Sequence, residues 1–247
     1  MATRTADRAT DPGIARTAVP ASTRCFSARI RRLPAAQAVL PMAPHLDDDT
    51  AQALADVLPL LGCAEEAATL AFGRLADRAP SSDEHGIEAA ALRAIEAEER
   101  VHDELLQRLG AALPAAPGGA AQRAAARRFH LGLETRERTT HLARICAVDA
   151  AVCTILSRLT APRGALAQDP QLVRLLQGIR RDEARHVAVT RKLVAARGAA
   201  ALGRMQGAAA RHALAGLLVP SGAAFERLCV DPDALLRDVA HLPNGLF

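Results

Sequence analysis

The chain has 247 residues, with 31 Lys and Arg against 27 Asp and Glu for a formal charge of +4. Half of it is hydrophobic, yet only 2% is aromatic and it holds no Trp or Tyr, so the core is expected to be Ala, Leu, Val and Ile, a composition that favours helices over sheets. The positive excess sits in the first 32 residues, whose arginines meet only Asp7 and Asp11; no basic face interleaved with aromatics follows, which argues against nucleic acid, and no apolar run nears the roughly 18 residues of a membrane span.

Residues 1–46, rich in Arg, Ser, Thr, Ala and Pro, read as an Arg-rich disordered extension, with a transit peptide as the alternative. Order is expected from Asp47-Asp48-Asp49-Thr50, an acidic, capping-competent start. The first helix covers residues 51–77, bent or broken at Pro59. Ala79-Pro80-Ser81-Ser82 turns into the second, residues 83–109, which Gly110 and the run from Pro114 to Gly119 terminate. A connection with helical content over 122–130 leads to the third helix, residues 134–159, with Glu134 and Glu137 as acids of its first turn. Asp169-Pro170, a capping Asp before Pro at the first helical position, opens the fourth, running to 196. A further helix over 200–219 and a short one capped by Asp231-Pro232-Asp233 follow.

Four long helices with a longer middle connection describe an all-α four-helix bundle with a crossover between the second and third helices. The expected division is an extension (1–46), the bundle (47–197) and a C-terminal helical extension packed on it (198–247). Cys63-Ala-Glu-Glu-Ala-Ala68 echoes Cys146-Ala-Val-Asp-Ala-Ala151, as an internal duplication would. The five cysteines (Cys25, Cys63, Cys146, Cys153, Cys229) form no C-x-x-C pair and are odd in number. They therefore read as free thiols of a reducing, cytoplasmic setting.

The chemistry lies in the apolar stripes. The second helix reads Leu92, Ile95, Glu99, His102, Leu106, Leu109, and the fourth reads Leu176, Ile179, Glu183, His186, Thr190, Leu193. Residues three and four apart share a helix face, so each Glu-x-x-His pair points with the leucines towards the core. The same steps give Leu58, Leu61, Glu65, Ala68, Phe72, Leu75 in the first helix and Leu142, Ile145, Asp149, Val152, Leu156, Leu159 in the third. Glu65 to Glu99 and Asp149 to Glu183 are both 34 residues apart.

Each helix thus offers one central acid, and every second helix adds a His. Buried carboxylates without counter-charge cost several kcal/mol each, and these stripes hold no Arg or Lys. Two divalent cations would cancel the charge, and mixed carboxylate and imidazole ligands suit iron or manganese. The apolar face selects Glu65 as the first helix's ligand, whereas the Cys-Ala echo aligns Glu66 with Asp149; both readings stand at this point. His130, His141 and His212 read as structural histidines, and residues 123–128 as an exposed basic face.

Residues 48–196 resemble a ferritin-like di-metal carboxylate protein, two of whose helices carry a Glu and two a Glu-x-x-His pair. Asp182-Glu183-Ala184-Arg185-His186 is similar to the D-E-x-R-H signature of the oxygen-activating branch, which includes bacterial multicomponent monooxygenases, the ribonucleotide reductase small subunit and acyl-carrier desaturases. The resemblance implies that Asp182, and Glu98 at the matching place, accept hydrogen bonds from metal-bound histidines. It also implies two iron ions (Mn/Fe or Mn/Mn as variants), O2 as co-substrate, an external electron donor and a small organic substrate, in a monomer or homodimer. Two departures stand out: the third acid is Asp149 rather than Glu, and the absence of Tyr excludes a stored tyrosyl radical. Ferritin- or bacterioferritin-type iron oxidation and a metal-free helical binding module are the alternatives.

Overall fold

The computed structural model describes residues 25–27, 30, 44–79 and 86–242, and every regular element among them is helical. The helices are α1 (Asp48–Asp77), α2 (Ile87–Ala111), α3 (Gly119–Leu133), α4 (Arg138–Leu159), α5 (Pro170–Ala196), α6 (Ala200–Leu218), α7 (Gly222–Arg227) and α8 (Pro232–Ala240). Most of the proposed 1–46 extension, the expected start of the second helix at 83, and residues 243–247 lie outside the described residues.

Side-chain caps set several helix starts. Asp47 accepts from Thr50 N–H at 2.8 Å, Asp169 from Gln171 and Leu172, and Asp231 from Ala234, each satisfying backbone donors that the first turn leaves open. Pro170 and Pro232 follow their capping Asp directly, where the missing N–H costs nothing. α4 begins at Arg138 rather than at 134, because Glu137 is its N-cap and accepts from Thr139 and Thr140. Glu134 instead closes α3 and pairs with Arg74. α1 runs through Pro59 without a break. Leu54, Val57, Leu58, Leu60 and Leu61 on either side are all buried, and that burial outweighs one lost backbone hydrogen bond.

α1 and α2 form one antiparallel pair: Leu58 lies over Gly110 near one end, and Asp77 pairs with Arg93 near the other. α4 and α5 form a second, in which the Cys146 thiol donates to the Val187 carbonyl at 3.6 Å and the Cys153 thiol to that of Arg180 at 3.7 Å. α3 packs on α1, α6 on α4, and α8 on α6. The apolar core falls into two clusters. One spans Leu54–Leu61 of α1, the C-terminal half of α2 and most of α4; the other gathers Phe72, Leu75, Leu92, Ile95, Leu142 and Val194. The layer between them holds the acids and histidines singled out above. No described helix is long and apolar enough to cross a membrane.

Candidate metal centre

All six residues of the apolar stripes lie in that one layer, and all are buried. Glu65, Glu99, His102 and Glu183 bring one ligand atom each to within 4.8 Å of one another, a group able to hold a metal ion. His102 Nδ1 lies 3.2 Å from Glu65, 3.3 Å from Glu99 and 3.0 Å from Glu183. His186 Nδ1 lies 2.8 Å from Glu99 Oε1 and 3.6 Å from Glu183 Oε2. Asp149 stands beside this group with its Oδ2 unpartnered. Glu66 is turned from the acid layer towards α3, where it is half-buried at the cavity's edge and paired with Arg127 at 3.2 Å, so the helical face and not the Cys-Ala echo locates the buried acid.

The contacts test whether a cation fits. His186 Nδ1 and Glu99 Oε1 are 2.8 Å apart, yet neither makes a hydrogen bond; Glu183 Oε1 is likewise unbonded although it faces His102 Nδ1 at 3.0 Å. Close, buried polar atoms left without hydrogen bonds are arranged as the ligands of an ion are. Two ligand atoms about 2.1 Å from one ion, at right angles, lie about 3.0 Å apart. The buried orphan atoms therefore have the spacing of a coordination sphere, and the donor set of oxygen and imidazole nitrogen suits iron or manganese.

Electrostatics agree. Burial, reinforced by Glu183 and Glu99, pushes the carboxyls of both Glu65 and Asp149 well above the usual range. Burial opposes charge at Glu99 as well, but the two adjacent imidazoles hold it below the usual range. At His102 burial works against the proton, yet Asp182, Glu183, Glu65 and Glu99 raise the imidazole far above its ordinary value. Glu99 and Glu183 do the same for His186. Protons thus carry the compensating charge that dications would carry in a loaded site.

The far side of each imidazole is tied to the neighbouring helix. His186 Nε2–H donates to Glu98 Oε2 at 2.8 Å, and Arg185 pairs with the same carboxylate. His102 Nε2 is 3.5 Å from Asp182 Oδ2 and 2.9 Å from Ser27 Oγ, whose hydroxyl donates to Asp182 at 2.6 Å. The link from His102 to Asp182 thus passes mainly through a serine. Each helix supplies the acid that holds the other helix's histidine, which fixes both rings with Nδ1 towards the carboxylates.

Ser27 is the residue that sequence reasoning missed, together with its neighbours. Cys25, Phe26 and Ser27 pack against α2 and α5: the Cys25 thiol donates to Glu98 Oε1 at 3.2 Å, and Phe26 and Ser27 N–H both donate to Asp182. A Cβ at Gly178 would stand 2.7 Å from the Phe26 ring, so only glycine lets the segment seat here. No periodic pattern marks these three residues. The Phe and Ser within an Arg-rich run were the available signal.

The histidine side is therefore sealed. Among the described residues the carboxylate side is open: Glu65, Glu99, Asp149 and Glu183 line a cavity of about 210 Å³ between α1, α3 and α4. Comparison with protein-family models, with curated proteins and with solved structures yields no match.

Proposed function

We propose that this chain is a di-metal, most simply di-iron, oxidoreductase of the ferritin-like type that uses O2 to oxidise a small organic substrate. The observation that carries this reading is the crossed pair of Glu-x-x-His motifs, which present two Nδ1 atoms to a buried carboxylate group while that group's opposite side lines an apolar cavity. The helix directions support it. α1 runs antiparallel to α2, α2 to α5 across the site, and α5 to α4, so α2 and α4 point the same way. The connection through α3 must then return along the bundle, as a ferritin-like crossover does.

Two reduced iron ions held here would supply electrons to O2 and leave oxidising equivalents for a C–H, N–H or C–C bond, with an external donor restoring the electrons. The chain's own part is positional. Glu98 and the Ser27–Asp182 pair hold the imidazole tautomers, and Arg185 offsets the charge of Glu98. Phe72, Ile95 and Leu142 on one side and Val152, Leu156 and Ile179 on the other wall the layer off along the bundle, leaving the cavity as its approach among the described residues.

The deciding measurement is metal content per chain after anaerobic reconstitution with Fe(II), in wild type and in Glu99→Ala and Glu183→Ala. About two ions per wild-type chain, a loss of most metal in either variant, and O2 consumption by the reduced wild-type protein are expected. Unchanged metal content in both variants overturns the assignment.

A further inference from the structure

The cavity carries more information than its position. α1 lines it with Ala64, Ala67, Ala68 and Ala71, and these small side chains create the space. On α4, His141, Ile145 and Asp149 follow one another at four-residue steps, so His141 stands two turns along the same face from the acid layer. His141 is 3% exposed, and its ring has no hydrogen bond among the described residues. His130 of α3, half-buried, lines the same space with only an edge contact to Phe129. Burial lowers both imidazoles, His130 to about 4, so neither is a cation at neutral pH.

The mouth is as informative. Glu66, Leu70 and Arg74 on α1 face Arg127, Leu131 and Glu134 at the end of α3. Glu66 pairs with Arg127, and Arg74 with Glu134, so the charges at both edges are already matched. Between them Leu70 and Leu131 are 54% and 65% exposed, an apolar doorway.

We infer that the cavity binds an uncharged, mainly apolar molecule carrying one hydroxyl or amide, which His141 holds by a hydrogen bond while the apolar body lies over the acid layer. The His141 ring makes no hydrogen bond to a described residue, yet its nitrogens are not fully buried, so they open onto the cavity, where a ligand can supply the partner. Among the described residues no unmatched cation lines the space to hold an anion, and Glu65, Glu99 and Glu183 at its floor already face the His102 and His186 imidazoles rather than the charge of a cationic ligand. A cavity of 150 Å³ is enough for benzene, so about 210 Å³ suits roughly eight or nine non-hydrogen atoms, such as a small substituted phenol. As the identity of a substrate this rests on the oxidoreductase reading; as a binding site it does not.

The test is binding of 4-ethylphenol, ethylbenzene and 4-ethylbenzoate to the full chain, by titration calorimetry and saturation-transfer NMR, with metal content measured on the same sample. 4-Ethylphenol is expected to bind at least tenfold more tightly than either of the others. His141→Phe should erase its advantage over ethylbenzene, and His141→Gln, which keeps a hydrogen-bonding group, should retain most of it. Ala68→Leu should weaken both neutral probes at least tenfold; should it fail to fold, the two His141 variants still decide the matter. A metal-loaded protein that binds none of the probes below about 1 mM, or binds the benzoate as well as the phenol, overturns the inference and leaves the metal assignment intact. Phenol binding that depends on His141 in a protein unable to hold metal sustains the cavity and removes the oxidoreductase reading.

Discussion

Ser27 shows how much a single hydroxyl can carry. It accepts from His102 Nε2–H and donates to Asp182, and without it the remaining contact between ring and acid is 3.5 Å, at the edge of a hydrogen bond. Ser27→Ala should therefore leave the helices intact and loosen the ring. Contacts that orient a metal-bound imidazole are worth about 10- to 100-fold in metal affinity, and a loss of about tenfold is expected here by competition with a chelator. Gly178→Ala should act alike, because its methyl would collide with the Phe26 ring that seats the segment. Unchanged affinity in both variants would separate Cys25–Ser27 from the site's chemistry.

Among the elements, α4 matters most because it carries both Asp149 and His141, and its start depends on Glu137. Burial is the largest single influence on that carboxyl and opposes its charge, but the hydrogen bonds it accepts from Thr139 and Thr140 together outweigh it and hold the group at about 2 where 4.5 is ordinary. The folded value lies below the unfolded one, so the ionised cap contributes its full stability above about pH 4.5 and loses it as pH falls towards 2. Glu137→Gln should cost about 1 kcal/mol at neutral pH, the usual scale for a lost cap, and should flatten the fall in stability over that acid window. Denaturant melts at pH 7 and pH 3 would check both. A variant that loses as much stability between those two conditions as wild type does would remove Glu137 as the source.

The elements also explain what the sequence disclosed. Helix starts set by Asp-Pro pairs were legible to the residue at Pro170 and Pro232, because cap and fixed backbone angle act locally. The acid layer was legible because 3.6-residue periodicity puts Leu, Ile and one acid on a single face in four helices. The Cys-Ala echo misled by one residue: Glu66 is third after Cys63 as Asp149 is third after Cys146, but one residue is about 100° of helical rotation, and Glu66 faces Arg127 instead. α3 extends beyond the 122–130 foreseen, and nothing in its composition announces that it walls a cavity. Such a role depends on where a connection is laid down, which local patterns do not encode.

For the whole molecule, the polar layer sits between two apolar clusters, so its charge state bears on the stability of the entire bundle. A ligand that binds only the folded chain stabilises it by about 2.7 kcal/mol at 100 times its Kd. For a domain of this size that corresponds to a rise of roughly 5–10 °C in Tm. Mn(II), which probes the site without redox chemistry, is expected to raise Tm by that amount, and a chelator to reverse it. Glu183→Ala should show no such rise. A wild-type Tm indifferent to Mn(II), Fe(II) and chelator alike would mean that no cation occupies the layer.

The Cys25–Ser27 segment has one more consequence, which concerns the order of events in the cell. Cys25 leaves the ribosome 73 residues ahead of Glu98, and Ser27 155 residues ahead of Asp182. During translation Cys25 can meet Glu98 once α2 has emerged, but Phe26 and Ser27 have no Asp182 to dock against until α5 follows, so the histidine side closes only when most of the chain exists. Until then the His102 imidazole keeps a route to solvent on that side, a second way in, besides the cavity, for a cation of the proposed centre.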